Sequence, residues 1–258
     1  MARIIAFVSG KGGVGKTTVA TNVAQALFEK GKKVVIIDAN ITTPNVTLHL
    51  GLLPGDKGIH EALNGKEKLS KIIQKSETGL MIIPGGLNFN NLKSKIKKSL
   101  SSIIVELVDK FDYIIIDAGA GLGFETQLAI KAADEMVLVT NPELPAITDA
   151  LKAKKLAEEL RVDLVGVVLN KKTGLDFDLK DQNVADFLEL PIIGIIPFDS
   201  SVNKSIKERI PVIISYPKSN SSKAIKKLVN AITNEELFII DKPDNKFISW
   251  IKNFLGLN

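Results

Sequence analysis

The chain has 258 residues, a hydrophobic fraction of 45% and a formal net charge of +5. That is the composition of a folded domain with a full core, and its mild basic excess permits an anionic partner without demanding one. It contains no cysteine, which excludes disulfides, cysteine-ligated zinc, iron–sulfur clusters and thiol nucleophiles. No apolar run reaches membrane-spanning length, and the N-terminus leads straight into the first motif. No leader is therefore expected, and the protein reads as cytoplasmic. His49 and His60 lack metal-ligand spacing and read as structural or surface residues.

The first element is an apolar β-type run, RIIAFVS at 3–9. The stretch 10–18, GKGGVGKTT, follows it and fits the P-loop pattern G-x-x-x-x-G-K-[ST]. Gly10, Gly12, Gly13 and Gly15 let the backbone curl, so that successive N–H groups, Val14's among them, form an anion nest. Lys16 is placed to reach the β- and γ-phosphates and the Thr17 hydroxyl to hold Mg²⁺. Thr18 lies at the N-terminus of the helix expected over 17–28, where the macrodipole favours an α-phosphate.

Gly31 reads as a helix stop. KVVIID at 33–38 is an unbroken apolar strand ending in Asp38, of the kind parallel sheets bury on both faces. A polar loop at 39–45 follows, at the strand edge where ligands of open α/β sheets bind. Two short helices are expected within 59–75, then a strand at 79–84. Apolar residues at helical spacing predict one amphipathic helix over 92–111. Its lysines, Lys93, Lys95, Lys97 and Lys98, read as a solvated face rather than a nucleic-acid site. YIIID at 113–117 has the Walker B form, with Asp117 offered to the Mg²⁺ water shell. The glycine-rich stretch 119–123 lets a loop approach the γ-phosphate closely.

Further strands are expected at 135–140, 164–169 (with Asn170 at its end) and 192–196, the last stopped by Pro197. Helices are expected at 145–160, 181–189, 200–208 and 222–232, the last with Ser222 as N-cap. This alternation implies a single α/β domain, a doubly wound and mostly parallel sheet flanked by helices. Residues 1–232 form that domain and 233–245 read as a linker. Residues 246–258 form a short amphipathic helix whose apolar stripe is Phe247, Ile248, Trp250, Ile251, Phe254 and Leu255. Aromatics with lysines opposite suit an interfacial membrane anchor. One such helix binds weakly, whereas two on one dimer bind far more tightly because the second insertion is intramolecular.

The extra lysine of the P-loop, Lys11, gives K-G-G-x-G-K-T-T, which resembles the deviant Walker A ATPases of the MinD/ParA group. The resemblance runs nearly end to end and is nearest to archaeal and bacterial MinD-like members. It implies a Mg²⁺-dependent ATPase that forms a nucleotide-sandwich homodimer, with Lys11 reaching the other subunit's phosphates. It implies that 38–45 and 117–122 are the two switch regions, with Asp38 at the metal. It also implies that Asn170 contacts adenine, that the segment led by Pro197 flanks the base, and that the C-terminal helix targets the membrane. Two departures stand out. Asn40 replaces the family's usual second switch I aspartate, which predicts slow hydrolysis, and Gly119 stands where many relatives have proline.

The reading that results is an ATP-dependent dimerisation switch, reversibly peripheral to the inner membrane face, that positions another assembly through an unknown cargo or regulatory partner. A ParA-like DNA-partitioning ATPase using Lys93–Lys98 and Lys223–Lys227, or a scaffold that binds ATP without hydrolysing it, is the alternative.

Overall fold

A computed structural model describes residues 1–53, 55, 57–86 and 96–234. At the centre of its one eight-stranded sheet is β1 (Arg3–Ser9), flanked by β5 (Tyr113–Ala120) and β6 (Glu135–Thr140), both parallel to it. Beyond β5 come β2 (Val34–Asp38) and β4 (Met81–Ile83). Beyond β6 come β7 (Asp163–Lys172) and β8 (Ile192–Pro197). All of these are parallel; the edge strand β3 (Gln74–Lys75) alone runs antiparallel, against β4. The sheet is therefore doubly wound and mostly parallel, as its unbroken apolar runs imply.

Strand periodicity divides β1 between two layers. Ile5 and Phe7 face α1 (Lys16–Glu29), α10 (Val212–Ser215) and α11 (Asn220–Ile232). Ala6 and Val8 face the other layer. It is built from α3 (Ile59–Leu63), α4 (Leu69–Ile72), α5 (Leu100–Ile104), α6 (Phe124–Ala132), α7 (Leu144–Glu159) and α8 (Asp181–Leu188). All four strand residues are 0% exposed, and burying side chains as large as Ile5 or Phe7 contributes about 1.5–3 kcal/mol each. Two short helices complete the set, α2 (Val46–His49) after β2 and α9 (Ser200–Glu208) after β8. Arg3 ties the far end of α11 to the sheet. Its guanidinium donates to both Glu135 carboxylate oxygens at 2.8 and 2.6 Å and to the Ile232 carbonyl at 2.6 Å.

The single helix expected over 92–111 is not formed. Lys97 and Lys98 donate their N–H groups to the Leu63 carbonyl at 3.2 and 2.9 Å, which holds the chain off helical geometry until Ser99. The Ser99 hydroxyl then accepts from the Ser102 N–H at 3.1 Å and caps the five-residue α5. Apolar spacing marked the buried positions here, and the cap decided where the helix begins. Lys93 and Lys95 lie outside the described residues.

The cap of α11 is likewise Ser219, whose hydroxyl accepts from the Ser222 N–H at 3.2 Å. Ser222 sits inside the first turn and donates its own hydroxyl to the carbonyls of Val212 and Tyr216. Strand β7 runs past Asn170 to Lys172, and β5 runs past Asp117 to Ala120. Most of the linker and the whole of 246–258, including Phe247, Ile248, Trp250, Ile251, Phe254 and Leu255, lie outside the described residues.

His60 is a structural residue with a consequence. It is 5% exposed, and neither ring nitrogen has a hydrogen-bond partner among the described residues. Burial pushes its imidazole below the ordinary pKa, against the opposing charges of Glu61 and Glu125. A base whose pKa is depressed on folding stabilises fully above its unfolded value, about 6.5, and that contribution is lost as pH falls. Melting temperature should therefore drop from neutral pH towards pH ~5.5 more steeply in the wild type than in His60→Phe, which removes the titrating group. Parallel pH profiles of the two would show that His60 does not titrate in the unfolding equilibrium.

Candidate nucleotide site

The P-loop leaves the carboxyl end of β1 between β5 and β6. There the chain order reverses, and open α/β sheets bind ligands at such a switch point. Two glycines are required by close approach. A Cβ on Gly10 would lie 2.1 Å from the Asp149 backbone carbon, so only glycine lets the loop rest against α7. Gly15, at φ +90°, is the N-cap of α1, and a Cβ there would lie 2.2 Å from Asn170 Nδ2. No side chain caps α1 and no acidic residue sits in its first turn. Its first N–H groups and the positive end of its dipole face a cleft of about 450 Å³, an anion site by construction. The cleft is lined by residues 12–18 together with Asn40, Asn170, Pro197 and others.

Parallel register sets Asp38 of β2 beside Asp117 of β5, both 0% exposed. Asp117 accepts from the Lys16 ammonium at 2.5 Å through one oxygen and from the Thr17 hydroxyl at 2.7 Å through the other. Asp38 accepts backbone N–H groups from Asn40, Asn45 and Val46 at 3.1, 2.8 and 3.0 Å. Burial, and then the Asp117 charge, push the Asp38 carboxyl up to about 7, against those N–H groups and Lys16. Thr17, Asp38 and Asp117 form a hard oxygen set that fits Mg²⁺. That ion takes one or two carboxylates and leaves its remaining positions to phosphate oxygens and water. Among the described residues no group of three His, Cys, Asp or Glu could hold a metal by itself.

Asn40 is 8% exposed and lines the cleft. Its Oδ1 accepts from the Thr43 N–H and hydroxyl at 3.3 and 3.1 Å. The neighbouring Thr42 donates its N–H and hydroxyl to one oxygen of Glu125 at 2.7 and 2.5 Å. Glu125 lies in the first turn of α6, three residues beyond the predicted switch region 117–122, so the predicted switch region 38–45 is tied to the helix that follows the other one. Gly119 makes room for this contact, since a Cβ there would come within 2.9 Å of Glu125.

On the other wall, the Asn170 amide donates to the Val14 carbonyl at 2.8 Å and the Lys171 ammonium to the Gly13 carbonyl at 2.7 Å. Asn170 thus props the P-loop as well as lining the cleft. Pro197 stands opposite, followed by Phe198, which is 59% exposed. Thr18 completes the first turn of α1 at the cleft. Lys11 stands apart from this constellation. Its ammonium lies 3.8 Å from Glu143 with the side chain 36% exposed, at the rim of its own site.

Of the cleft-lining residues, Thr43, Asn45, His49, Lys171 and Phe198 were not singled out as site residues from sequence. His49, at the end of the four-residue α2, lines the cleft, a place that its sequence context as a structural or surface residue does not announce. Lys171 owes its place to a left-handed backbone, φ +56°, which no local motif announces.

The ParA family, described as NUBPL iron-transfer P-loop NTPases, matches residues 1–233. The chain belongs to this P-loop NTPase family. It is 35% identical over 261 residues to an ATP-binding protein of Methanocaldococcus jannaschii, covering 99% of this chain and 98% of that protein. It is 31% identical over 251 residues to the septum site-determining protein MinD of Synechocystis sp., with 93% of each covered. Among solved structures it superposes on MinD of Pyrococcus horikoshii, complexed with Mg-ADP, with a TM-score of 0.85 at 33% identity, covering 90% of this chain and 96% of that one. ATP and Mg²⁺ are the cofactors of this P-loop family. The iron transfer for which the family is described has no thiolate to rest on here, because the chain contains no cysteine.

Proposed function

We propose that this chain is an ATP-dependent dimerisation and membrane-association switch that hydrolyses ATP slowly and positions another cellular assembly, of division or motility. Lys11 carries the reading. It is not among the residues that line the cleft, and its half-exposed ammonium, 3.8 Å from Glu143, is free to meet a second copy's phosphates. By two-fold symmetry each subunit then completes the other's site. The tail gives the dimer a use, since two weak anchors at 246–258 act as one strong one. Among the described residues no helix is long and apolar enough to cross a membrane.

In the site, the P-loop N–H groups and Lys16 would neutralise the β- and γ-phosphates, and Thr17, Asp38 and Asp117 would hold Mg²⁺, which supplies charge neutralisation to the leaving group. Attack of water on the γ-phosphorus and breakage of the β–γ bridging bond give ADP and phosphate. This chemistry depends on positioning and electrostatics. Asn40 can orient a water through its amide but cannot accept a proton, and its Oδ1 is engaged by Thr43. An aspartate at 40 would add a third carboxylate beside Asp38 and Asp117, which the protein avoids at the cost of turnover.

Asn40→Asp should therefore raise kcat by about 10²-fold or more, the usual span of a positioned base. Unchanged turnover would remove Asn40 from the account of slow hydrolysis. The reading as a whole is tested by mass in solution. A dimer is expected with a non-hydrolysable ATP analogue and Mg²⁺ and a monomer with ADP; a monomer in both states contradicts it.

A further inference from the structure

One segment carries a net positive charge as large as that of the whole chain. Residues 198–234, which carry α9, α10 and α11, hold seven lysine and arginine residues against two acids, Asp199 and Glu208. The resulting net charge of +5 equals that of the whole chain. Both acids are already engaged. Asp199 accepts from the Ser201 and Ser221 N–H groups, and Glu208 accepts from the Tyr216 hydroxyl at 2.5 Å.

Within this segment α11 contains no acidic residue. Its buried positions, Ile225, Leu228, Val229 and Ile232, grip the sheet. Lys223, Lys226 and Lys227 are exposed, and their i, i+3, i+4 spacing sets them on one face. A groove of about 320 Å³ runs beside this face, with Ile193 and Ile195 of β8 and Leu228 on its floor and Lys223 and Lys227 at its rim. The Arg3 contact to the Ile232 carbonyl fixes the end of α11. That end lies about 7.5 Å from Lys227 at helical rise.

We propose that the basic face of α11 is a second membrane contact, which lays the ATPase core against anionic lipid. The inference rests on the membrane reading above and extends it from the tail to the folded domain. Three lysines on one face match a negatively charged bilayer surface, where each cation near the headgroups adds to binding. The apolar floor beside them favours lipid over nucleic acid. It can take the glycerol and acyl root below a headgroup phosphate, whereas a duplex backbone would meet only the lysines. Because α11 and the tail belong to one chain, the two contacts add within one binding event.

The test is co-sedimentation of the full chain, with a non-hydrolysable ATP analogue and Mg²⁺, on two vesicles. One is phosphatidylcholine alone, and the other is equal parts phosphatidylcholine and phosphatidylglycerol. The triple variant Lys223→Ser, Lys226→Ser, Lys227→Ser should bind the anionic vesicles at least about tenfold more weakly at low salt and the neutral vesicles equally well. Its lipid-free ATPase rate should be that of the wild type. Lys66→Ser, Lys68→Ser, Lys71→Ser makes the same charge change in the opposite layer and should leave anionic binding intact.

Wild-type binding by the α11 triple variant overturns the inference. So does an equal loss in the control triple, which would reduce the effect to net charge. Duplex DNA binding lost in the α11 triple while vesicle binding is unchanged would assign the face to nucleic acid instead. Equal wild-type binding with ATP analogue and ADP would overturn the switch reading while the two vesicles still decide this one. Absence of wild-type binding to either vesicle overturns both.

Discussion

Replacing Lys16 by alanine should abolish measurable ATP turnover and, without nucleotide, lower stability by about 3–5 kcal/mol, the usual cost of stranding one partner of a buried ion pair. The Lys16 and Asp117 side chains are 6% and 1% exposed. Removing the ammonium leaves Asp117 with only the Thr17 hydroxyl as a side-chain donor. It also leaves Asp117 facing Asp38, whose carboxyl burial and Asp117 already push up to about 7. The same ammonium is the buried cation of the P-loop. Loss of its charge-assisted bonds should weaken ATP by about 1.5–3 kcal/mol, roughly 10- to 150-fold. Chemical denaturation measures the first effect and titration calorimetry the second. Wild-type ATP affinity in this variant would show that the phosphates do not sit on Lys16.

The second large effect is expected at Lys11 and should look different. Lys11→Ala removes a side chain at the rim whose one ion pair, 3.8 Å to Glu143, contributes little at such exposure. Stability and ATP affinity of the monomer should change little. The dimer formed with ATP analogue should weaken by about 3–6 kcal/mol, because symmetry removes two charge-assisted contacts to phosphate at once. Sedimentation equilibrium with the analogue reads this directly. Loss of monomer affinity comparable to that of Lys16→Ala would place Lys11 in its own subunit's site and remove the argument for a shared one.

The contrast between these lysines also shows what a reader of the sequence can and cannot see. The P-loop was legible because its chemistry needs glycine and lysine at fixed spacing, and Gly10 and Gly15 prove to be required by contacts to Asp149 and Asn170. The strands were legible because parallel strands covered on both faces are apolar throughout. Helix boundaries were less so. At 92–111 the apolar spacing identified Leu100, Ile103, Ile104 and Leu107 as buried, but not that the Leu63 carbonyl would hold Lys97 and Lys98. The side-chain latch from Thr42 to Glu125 spans 83 residues, and the bond from Lys171 to the P-loop spans 158. No local pattern encodes contacts at such separation.

The Thr42–Glu125 latch ties the loop after β2 to the start of α6. Thr42 lies between the cleft-lining Asn40 and Thr43, and Glu125 lies in the first turn of α6. The latch joins them through a carboxylate that only a small residue at 119 admits. The two regions are therefore expected to respond to nucleotide together.

The most direct test of the central claim is liposome co-sedimentation of the wild-type chain with Mg²⁺ and either a non-hydrolysable ATP analogue or ADP, beside the chain truncated before residue 246. Sedimentation is expected with the analogue, little with ADP and little for the truncated chain in either state. Equal sedimentation of the full chain in both nucleotide states, or undiminished sedimentation without the tail, would contradict it.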